Sequence, residues 1–512
     1  CGVEPIWNYL QELETDEFPY NTCYLRYTVH GDNGPPDELM PDVIRAWNER
    51  YESPQFRITT TKEFFTAFEE QYGEYLPTYG GDMTPTWEDG ASSTARETAM
   101  NRESAARLTR TEILWSMLSP ESDYPARELA EAWKNVLLFS AHTWGASASG
   151  PDPYSQFTKD LWAGKKMYAD SADVQSRRLC DEAMAGITAG EGYVQVLNTN
   201  LWPRTDVVTV AADLTGKRLL APSGEPVAVQ RLHDGGWIFL AEEVPALSSS
   251  VYRIVPAAKA KKSPAAPVSM IGGNVLDNGL VRVAVDPAKG TIRSLKAAGA
   301  DYEYAAGEGL NDYIYSGRIA ADPRGIDRVT CVEVLDDGPV AATLRIVSDA
   351  PGCNALWRDV TVYRGLGRVD IRNTVDKQDI LEHESVRFVF PFNFAHPEIT
   401  MDLAMSEMHP EREQLAGVNK HYYSLLNGMA VGDLEHAVCL TTLDAPFVEL
   451  GTPSGEDYRL NPRHGYGWWP SAQISPVVYS WVMNNTWRTN YKASQGGVAS
   501  FRYSLQICDP FD

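Results

Sequence analysis

Apolar and polar positions follow three different periods along this chain. Up to about residue 75, short strand-like runs trade places with helical patterns. Residues 23–29 (CYLRYTV) read as a strand, and the loop 30–36 follows. A helix comes next, with Pro at its start, acids Asp37 and Glu38 in its first turn, and Leu39, Val43 and Trp47 four apart. Residues 56–58 predict a second short strand, and Thr60 with Glu63 a capping box ahead of Phe64, Phe65 and Phe68. Strand, loop, helix, strand, helix is the order of a parallel α/β sheet or barrel. Residues 94–190 turn helical. Leu129, Trp133, Val136 and Leu137 make one apolar face, running into Ser140-Ala141-His142-Thr143-Trp144-Gly145, and a second long helix is expected over roughly 154–189. After Gly190 the period drops to two, with strands expected at 193–197, 207–211, 227–231 and 237–240. Residues 256–267 (PAAKAKKSPAAP) read as a linker or exposed turn. Beyond them, 280–285, 340–346, 359–363, 369–373 and 386–390 alternate as a β-sandwich does. The expectation is an α+β multidomain chain: 1–93 α/β, 94–190 helical bundle, 191–267 small β domain and linker, 268–512 large β-sandwich.

Composition narrows the partners. The 512 residues hold 45 basic and 69 acidic side chains, a net charge of −24. Nucleic acid and anionic membranes need clustered Lys and Arg, so neither is expected. No apolar run is long enough to span a membrane. The 14 Trp and 25 Tyr mostly serve cores, but flat rings with polar edges also suit sugars. The cysteines, at 1, 23, 180, 331, 353, 439 and 508, contain no CxxC pair, which argues against a zinc ribbon. Cys331 and Cys353 are placed to bridge two strands, with free buried thiols the stronger expectation. Cys1-Gly2 fits either a lipidated mature terminus or a cleavage boundary. The compartment stays open, with a leaning to a secreted or periplasmic one.

Candidate chemistry gathers in loops. His30, Asp32 and Asn33 follow a strand and precede a helix, where α/β folds bind ligands and where acid/base or metal chemistry would sit. The plainer alternative is a Gly/Pro-rich turn with side chains capping amides. In Thr78-Tyr79-Gly80-Gly81-Asp82 and Thr86-Trp87-Glu88-Asp89-Gly90, Trp87 would stack on a sugar while Asp82 or Asp89 accepts its hydroxyls; a loop around a packed Trp is the alternative. His142 ends an apolar helix and would equally be a helix-end histidine. Gly465-Tyr466-Gly467-Trp468-Trp469-Pro470 and Asn484-Asn485-Thr486-Trp487-Arg488-Thr489-Asn490 suit sugar hydroxyls or the bracing of a long loop. Asn484 also heads an N-x-T sequon.

Four stretches together carry a resemblance. They are Leu76–Asp82 with Trp87, Gly90 and Asn101-Arg102; Ala132-Trp133-Lys134-Asn135 through His142-Thr143-Trp144-Gly145; Val196-Leu197-Asn198-Thr199-Asn200-Leu201-Trp202-Pro203-Arg204; and Asn278-Gly279-Leu280-Val281-Arg282-Val283 with Asp286-Pro287, Gly290-Thr291-Ile292 and Leu295. They resemble the zinc-dependent retaining α-mannosidases of glycoside hydrolase family 38, and more closely a divergent branch beside them. The resemblance implies that 1–93 is the C-terminal part of an α/β catalytic barrel. It implies that His142 is a zinc ligand, Asp32 the acid/base carboxylate, and His30, Asn33, Asp82, Trp87 and Trp144 substrate contacts. The residue after the zinc-binding His is usually Asp in the family and is Thr143 here, which puts mannose specificity in doubt. The family's H-x-D zinc pair and nucleophilic Asp have no counterpart in residues 1–19. The expectation is therefore a fragment, whose partners are an oligosaccharide or polysaccharide and either the N-terminal segment or a second copy. The remaining zinc ligands, or those of another divalent cation, are expected outside this chain.

Three functions compete. The first is hydrolysis of α-linked sugars, with mannose the default. The second is a lyase on a uronate-containing glycan, its carboxylate met by Arg488 with Arg463 or His464. The third is a non-catalytic carbohydrate-binding fragment.

Overall fold

Three helices carry a first unit, Cys1–Tyr79: α1 (Glu4–Thr15), α2 (Met40–Arg50) and α3 (Thr61–Tyr72). The structure is a computed structural model and describes residues 4–29, 34–81, 88–145, 147–185, 187, 190–257, 270–317, 323–404, 406–453, 468–485 and 491–509. The capping box forms as expected. Thr60 Oγ accepts from Glu63 N–H, and the Glu63 carboxylate accepts from Thr60 N–H, which draws the Glu63 carboxyl below its usual range. Phe64, Phe68 and Tyr72 of α3 meet Tyr20 and Tyr24 in an aromatic cluster. Trp47 is the buried residue of α2, packed on Trp7, Tyr51 and Phe56.

The strand expectations in this unit need correction. Residues 23–29 and 56–58 have no ladder partner among the described residues. At Phe56 the reason is visible. Its N–H and C=O are both bonded by the Asn48 side chain, at 2.9 and 2.8 Å, so a side chain of α2 replaces a neighbouring strand.

The second unit is Gly80–Asp512. It opens with a 3₁₀ segment, Glu88–Thr94, and three helices: α4 (Ala95–Leu118), α5 (Ala126–Phe139) and α6 (Gln156–Ala185). On α6 the buried residues Lys165, Ala169, Ala172, Ser176, Leu179 and Ala183 alternate steps of four and three, the seam of packed helices. Small residues on the seam let α4 and α5 approach closely. The buried face of α5 is Leu129, Ala132, Val136 and Phe139. Trp133 is only half-buried and Leu137 is 67% exposed, so the expected face is rotated by one position. Alanine carries little hydrophobic signal, yet Ala132 is what the close contact with α6 requires. α4 buries a polar stripe, with Arg107 bonded to Asp173, Ser176 and Glu103 at 2.7–3.0 Å.

The β portion begins with β1 (Tyr193–Asn198), β2 (Arg204–Val210), β3 (Lys217–Leu220), β4 (Pro226–Val227), β5 (Val229–Arg231), β6 (Trp237–Val244) and β7 (Ser248–Pro256). They form sheets β1-β7-β3-β4 and β2-β6-β5 around Leu214, Leu219, Phe239 and Tyr252. Residues 258–267 of the expected linker lie outside the described residues. Next come β8 (Ile271–Gly272), β9 (Val275–Asp277), β10 (Val281–Val285), β11 (Ile292–Ala297), β12 (Asp312–Gly317), β13 (Arg328–Asp337), β14 (Ala341–Asp349), β15 (Cys353–Tyr363), β16 (Arg368–Lys377) and β17 (Glu384–Pro391). The last are β18 (Glu398–Leu403), β19 (Ser406–Met408), β20 (Tyr423–Ser424), β21 (Gly428–Gly432), β22 (Ala437–Thr442), β23 (Phe447–Leu450), β24 (Val477–Asn484) and β25 (Gly497–Cys508).

A nine-stranded antiparallel sheet, β13-β14-β15-β16-β25-β22-β21-β18-β19, faces a five-stranded one, β12-β17-β24-β23-β20. On β16 every second residue from Val369 to Lys377 is buried, the alternation of a sheet with one face in the core. β17 is buried along almost all its length. Its Val386, Phe388 and Phe390 join the core that both sheets share. Its Arg387 turns the other way, pairs with Glu449 of β23 and lies 5.0 Å from the Trp481 ring centre. The fold is α+β and multidomain.

Candidate functional site

Helix α5 ends at Phe139, and the chain makes a tight turn that presents His142 and Thr143 to solvent. The turn is held from two sides. Lys165 Nζ, on α6, donates to Leu138 O and Ala141 O, both at 2.9 Å. Asn101 Nδ2, on α4, donates to Val136 O at 3.3 Å and Ser140 Oγ at 3.1 Å. Lys165 thereby meets carbonyls at the helix end, and Asn101 ties the last turn to α4. Burial drives the Lys165 pKa down to about 8.

Trp144 and Gly145 then both take positive φ, +48° and +68°. That conformation is rare for a bulky residue. Its effect is to swing the Trp144 ring inward while His142 stays outside. The ring is 5% exposed and lies against Gly90, where an added Cβ would sit 2.3 Å from Cδ1. Phe139 meets it edge-on at 6.2 Å, and Lys165 Nζ is 5.5 Å from its centre. Ala91, Ala169, Tyr422, Phe447, Trp481 and Tyr491 complete this core cluster, with Trp468 packed at its border. It joins the helical bundle to the sandwich.

The segment from Asp89 to Ala95 is stitched to the last strands. Tyr491 Oη donates to Asp89 Oδ1 at 2.7 Å, and Asn484 Nδ2 donates to Asp89 O at 3.0 Å. Ser93 Oγ donates to Asn484 Oδ1 at 2.8 Å, and Ser92 Oγ to Trp481 O at 3.0 Å. Gln495 donates to Ser92 O and accepts from Ala95 N–H. Asn485 likewise binds Ile380 O and Glu384 N–H. Both asparagines therefore brace loops. Asn484 is 1% exposed with its amide nitrogen engaged, so the folded chain does not offer it for glycosylation.

Trp469 stacks on the buried His421 imidazole, centres 4.3 Å apart, and is itself half-exposed. Burial pushes the His421 pKa down to about 4, which keeps the ring neutral. Next to this platform Lys420 binds Glu411 and Pro470 O, and Glu411 also accepts from Ala472 N–H. These bonds lead to a polar groove of about 650 Å³ lined by Gly80, Gly81, Ser406, Glu407, Arg412 and Glu413, among others. Gly81, at φ +106°, lies so close to Glu413 O that no side chain fits there.

Of the residues expected from sequence, His142 and Trp144 are described, two positions apart and facing opposite ways. His30, Asp32, Asn33, Asp82 and Trp87 lie outside the described residues, as do Arg463, His464 and Arg488. His421 and Lys165 escaped the sequence reading, because nothing local marks a residue that acts by burial; of the groove, that reading singled out only the Gly80-Gly81 loop. Among the described residues no three His, Cys, Asp or Glu side chains converge to hold a metal. His142 alone supplies one nitrogen, fewer than the three protein ligands a catalytic zinc takes, so these residues do not by themselves make a zinc site. Among the described residues no helix is long and apolar enough to cross a membrane.

Cys331 and Cys353 are free thiols, the stronger of the two expectations, though only Cys353 is buried. Cys331 is exposed on β13 and Cys353 is buried on β15, with β14 between them. Cys353 Sγ meets Tyr313 Oη at 3.2 Å instead.

Known proteins are similar to this chain in both sequence and fold. Residues 85–179 match the α-mannosidase middle domain, a stretch that covers α4, α5 and the His142 turn. Mouse alpha-mannosidase 2C1 is 25% identical over 279 residues, and the human protein of the same name 26% over 287 residues. Each alignment takes in 51% of this chain but only 23% of the relative. A solved protein of glycosyl hydrolase family 38 from Enterococcus faecalis superposes with a TM-score of 0.68 at 14% identity, over 98% of this chain and 65% of its own. An α-mannosidase structure from Enterococcus faecalis V583 gives 0.67 at 13% identity, over 93% and 62%. Residues 85–179 are thus similar in sequence to the α-mannosidase middle domain, and the fold is shared with solved proteins of glycoside hydrolase family 38.

Proposed function

We propose that this chain serves a glycoside hydrolase that cleaves α-linked mannosides with retention of configuration. The middle-domain match carries the reading, because it spans the helices whose ends present His142. In such a reaction one carboxylate attacks the anomeric carbon while a carboxylic acid protonates the leaving oxygen. Asp32 is our choice for the acid/base. His142 is proposed as a single nitrogen donor to a divalent cation, its other donors lying beyond the described residues. No step of the reaction is assigned to that ion. Lys165 and Asn101 are positioning residues, because they fix the turn without reaching its outer face. The half-exposed Trp469 offers a ring on which a sugar can stack.

The test uses the full-length protein with aryl α-mannosides. His142→Ala is expected to lower turnover by a factor on the order of 100, the upper end of what residues that only support a metal ligand contribute, and to lower bound zinc in parallel. Unchanged zinc and turnover would remove His142 from the site. Asp32→Asn should cost activity on poor leaving groups and spare activated ones. Ultraviolet absorbance from an unsaturated product would instead establish elimination, and glycan binding without turnover a non-catalytic role.

A further inference from the structure

Two thiols outside the candidate site lie against each other. Cys439 is in β22 and Cys508 ends β25, neighbouring strands of the nine-stranded sheet. The register sets Cys439 opposite Gln506 and Cys508 opposite Ala437, which makes the two cysteines diagonal neighbours on one face. That face is not the main core. Cys439 alternates with the buried Val438 and Leu440, and both cysteines are half-buried. Their sulfurs are 3.2 Å apart, within hydrogen-bonding reach for sulfur. Small neighbours leave the pair uncrowded: Ala430 of β21 flanks Cys439, and Ala437 faces Cys508. The hydrogen bond between the two sulfurs draws the Cys439 pKa down to about 7. The thiolate, the attacking form, is therefore well populated at neutral pH.

We propose that Cys439 and Cys508 are an oxidation site that forms a disulfide between β22 and β25 by exchange with a small-molecule disulfide. The Cys439 thiolate attacks one sulfur of the oxidant and releases the first small thiol. Cys508 gives its proton to solvent, attacks the Cys439 sulfur of the mixed disulfide and expels the second. Two protein thiols are oxidised and one disulfide is reduced to two thiols. Closing the sulfur gap asks movement chiefly of the strand end at Cys508. The new bond would tie residues 69 positions apart and lock the two strands in register.

The experiment treats the native protein with oxidised glutathione, alkylates the remaining thiols and maps peptides without reduction. The expected result is a peptide pair joined through Cys439 and Cys508, lighter by two hydrogens than the free pair. Cys439→Ser and Cys508→Ser should each abolish it and leave the other cysteine carrying one glutathione, while Cys331→Ser leaves it intact. Circular dichroism confirms that each variant is folded. Recovery of both cysteines alkylated, or of separate glutathione adducts on both in the wild type, would overturn the proposal.

Discussion

Gly90→Ala probes the junction between bundle and sandwich with a single methyl group. Gly90 does not take positive φ, so its backbone accepts alanine and only space opposes the change. The new Cβ would meet Trp144 Cδ1 at 2.3 Å and Nε1 at 2.4 Å. Ordinary contact requires the indole to retreat by about 1 Å in a closely packed interior. The ring has little room, hemmed in by Phe139 and Lys165 on a backbone already at φ +48°. Overpacking of this kind costs about 1–3 kcal/mol, and the enclosed ring points to the upper end. Trp144→Leu opens the same space at about 2–4 kcal/mol of its own. In the double variant the methyl enters the vacated volume. Gly90→Ala should then cost under about 0.5 kcal/mol, a coupling of roughly 2 kcal/mol. Denaturant unfolding of the four proteins, followed by far-ultraviolet circular dichroism for the helices, measures the cycle. An alanine penalty that is equal in both backgrounds would refute the claim that Trp144 is seated on Gly90.

Lys165→Met keeps the buried stem but strips the donors from Leu138 O and Ala141 O, and should destabilise the fold by about 2–4 kcal/mol in equilibrium unfolding. Lys165 also has a pH signature. With its pKa near 8 when folded against the usual 10.5, the unfolded chain binds the extra proton in that window. Wild-type stability should therefore gain on Lys165→Met as pH rises through it, and a flat difference would contradict the burial. His421→Phe keeps a ring on Trp469 but cannot titrate. Because the folded His421 pKa is about 4 against 6.5, the unfolded chain takes up a proton first as pH falls. The wild type should lose about 2 kcal/mol relative to the variant between about pH 7.5 and about pH 5, read from denaturant midpoints.

Much of the fold was legible because burial follows period. β15 and β16 announce themselves through every second residue, and the Thr60 box marks the start of α3. Legibility fails where one element's surroundings decide. Ala132 is silent in the sequence although α6 selects it, and Phe56 lies extended in a segment that Asn48 caps. Trp144 reads as a sugar wall beside a histidine. Two successive positive-φ residues, which no local pattern signals, send it into the core. Asn484 and Asn485 looked equally fit for sugar or for bracing, and only their partners on residues 89–93, 380 and 384 decide for bracing.

The bonds between residues 89–95 and 481–495 set a timetable for biosynthesis. The Ala95 amide and its Gln495 partner are separated by 400 positions. At elongation rates of roughly 5–20 residues per second, one waits about 20–80 s for the other to be made. Through that interval the polar groups that open the bundle have only water to satisfy them. The bundle cannot seat its entrance until β24 and the loop after it have left the ribosome. Folding of the bundle entrance is thus held open while the intervening 400 positions are made, and closes late. A premature stop before residue 495 would leave damage far upstream, in the first turn of α4.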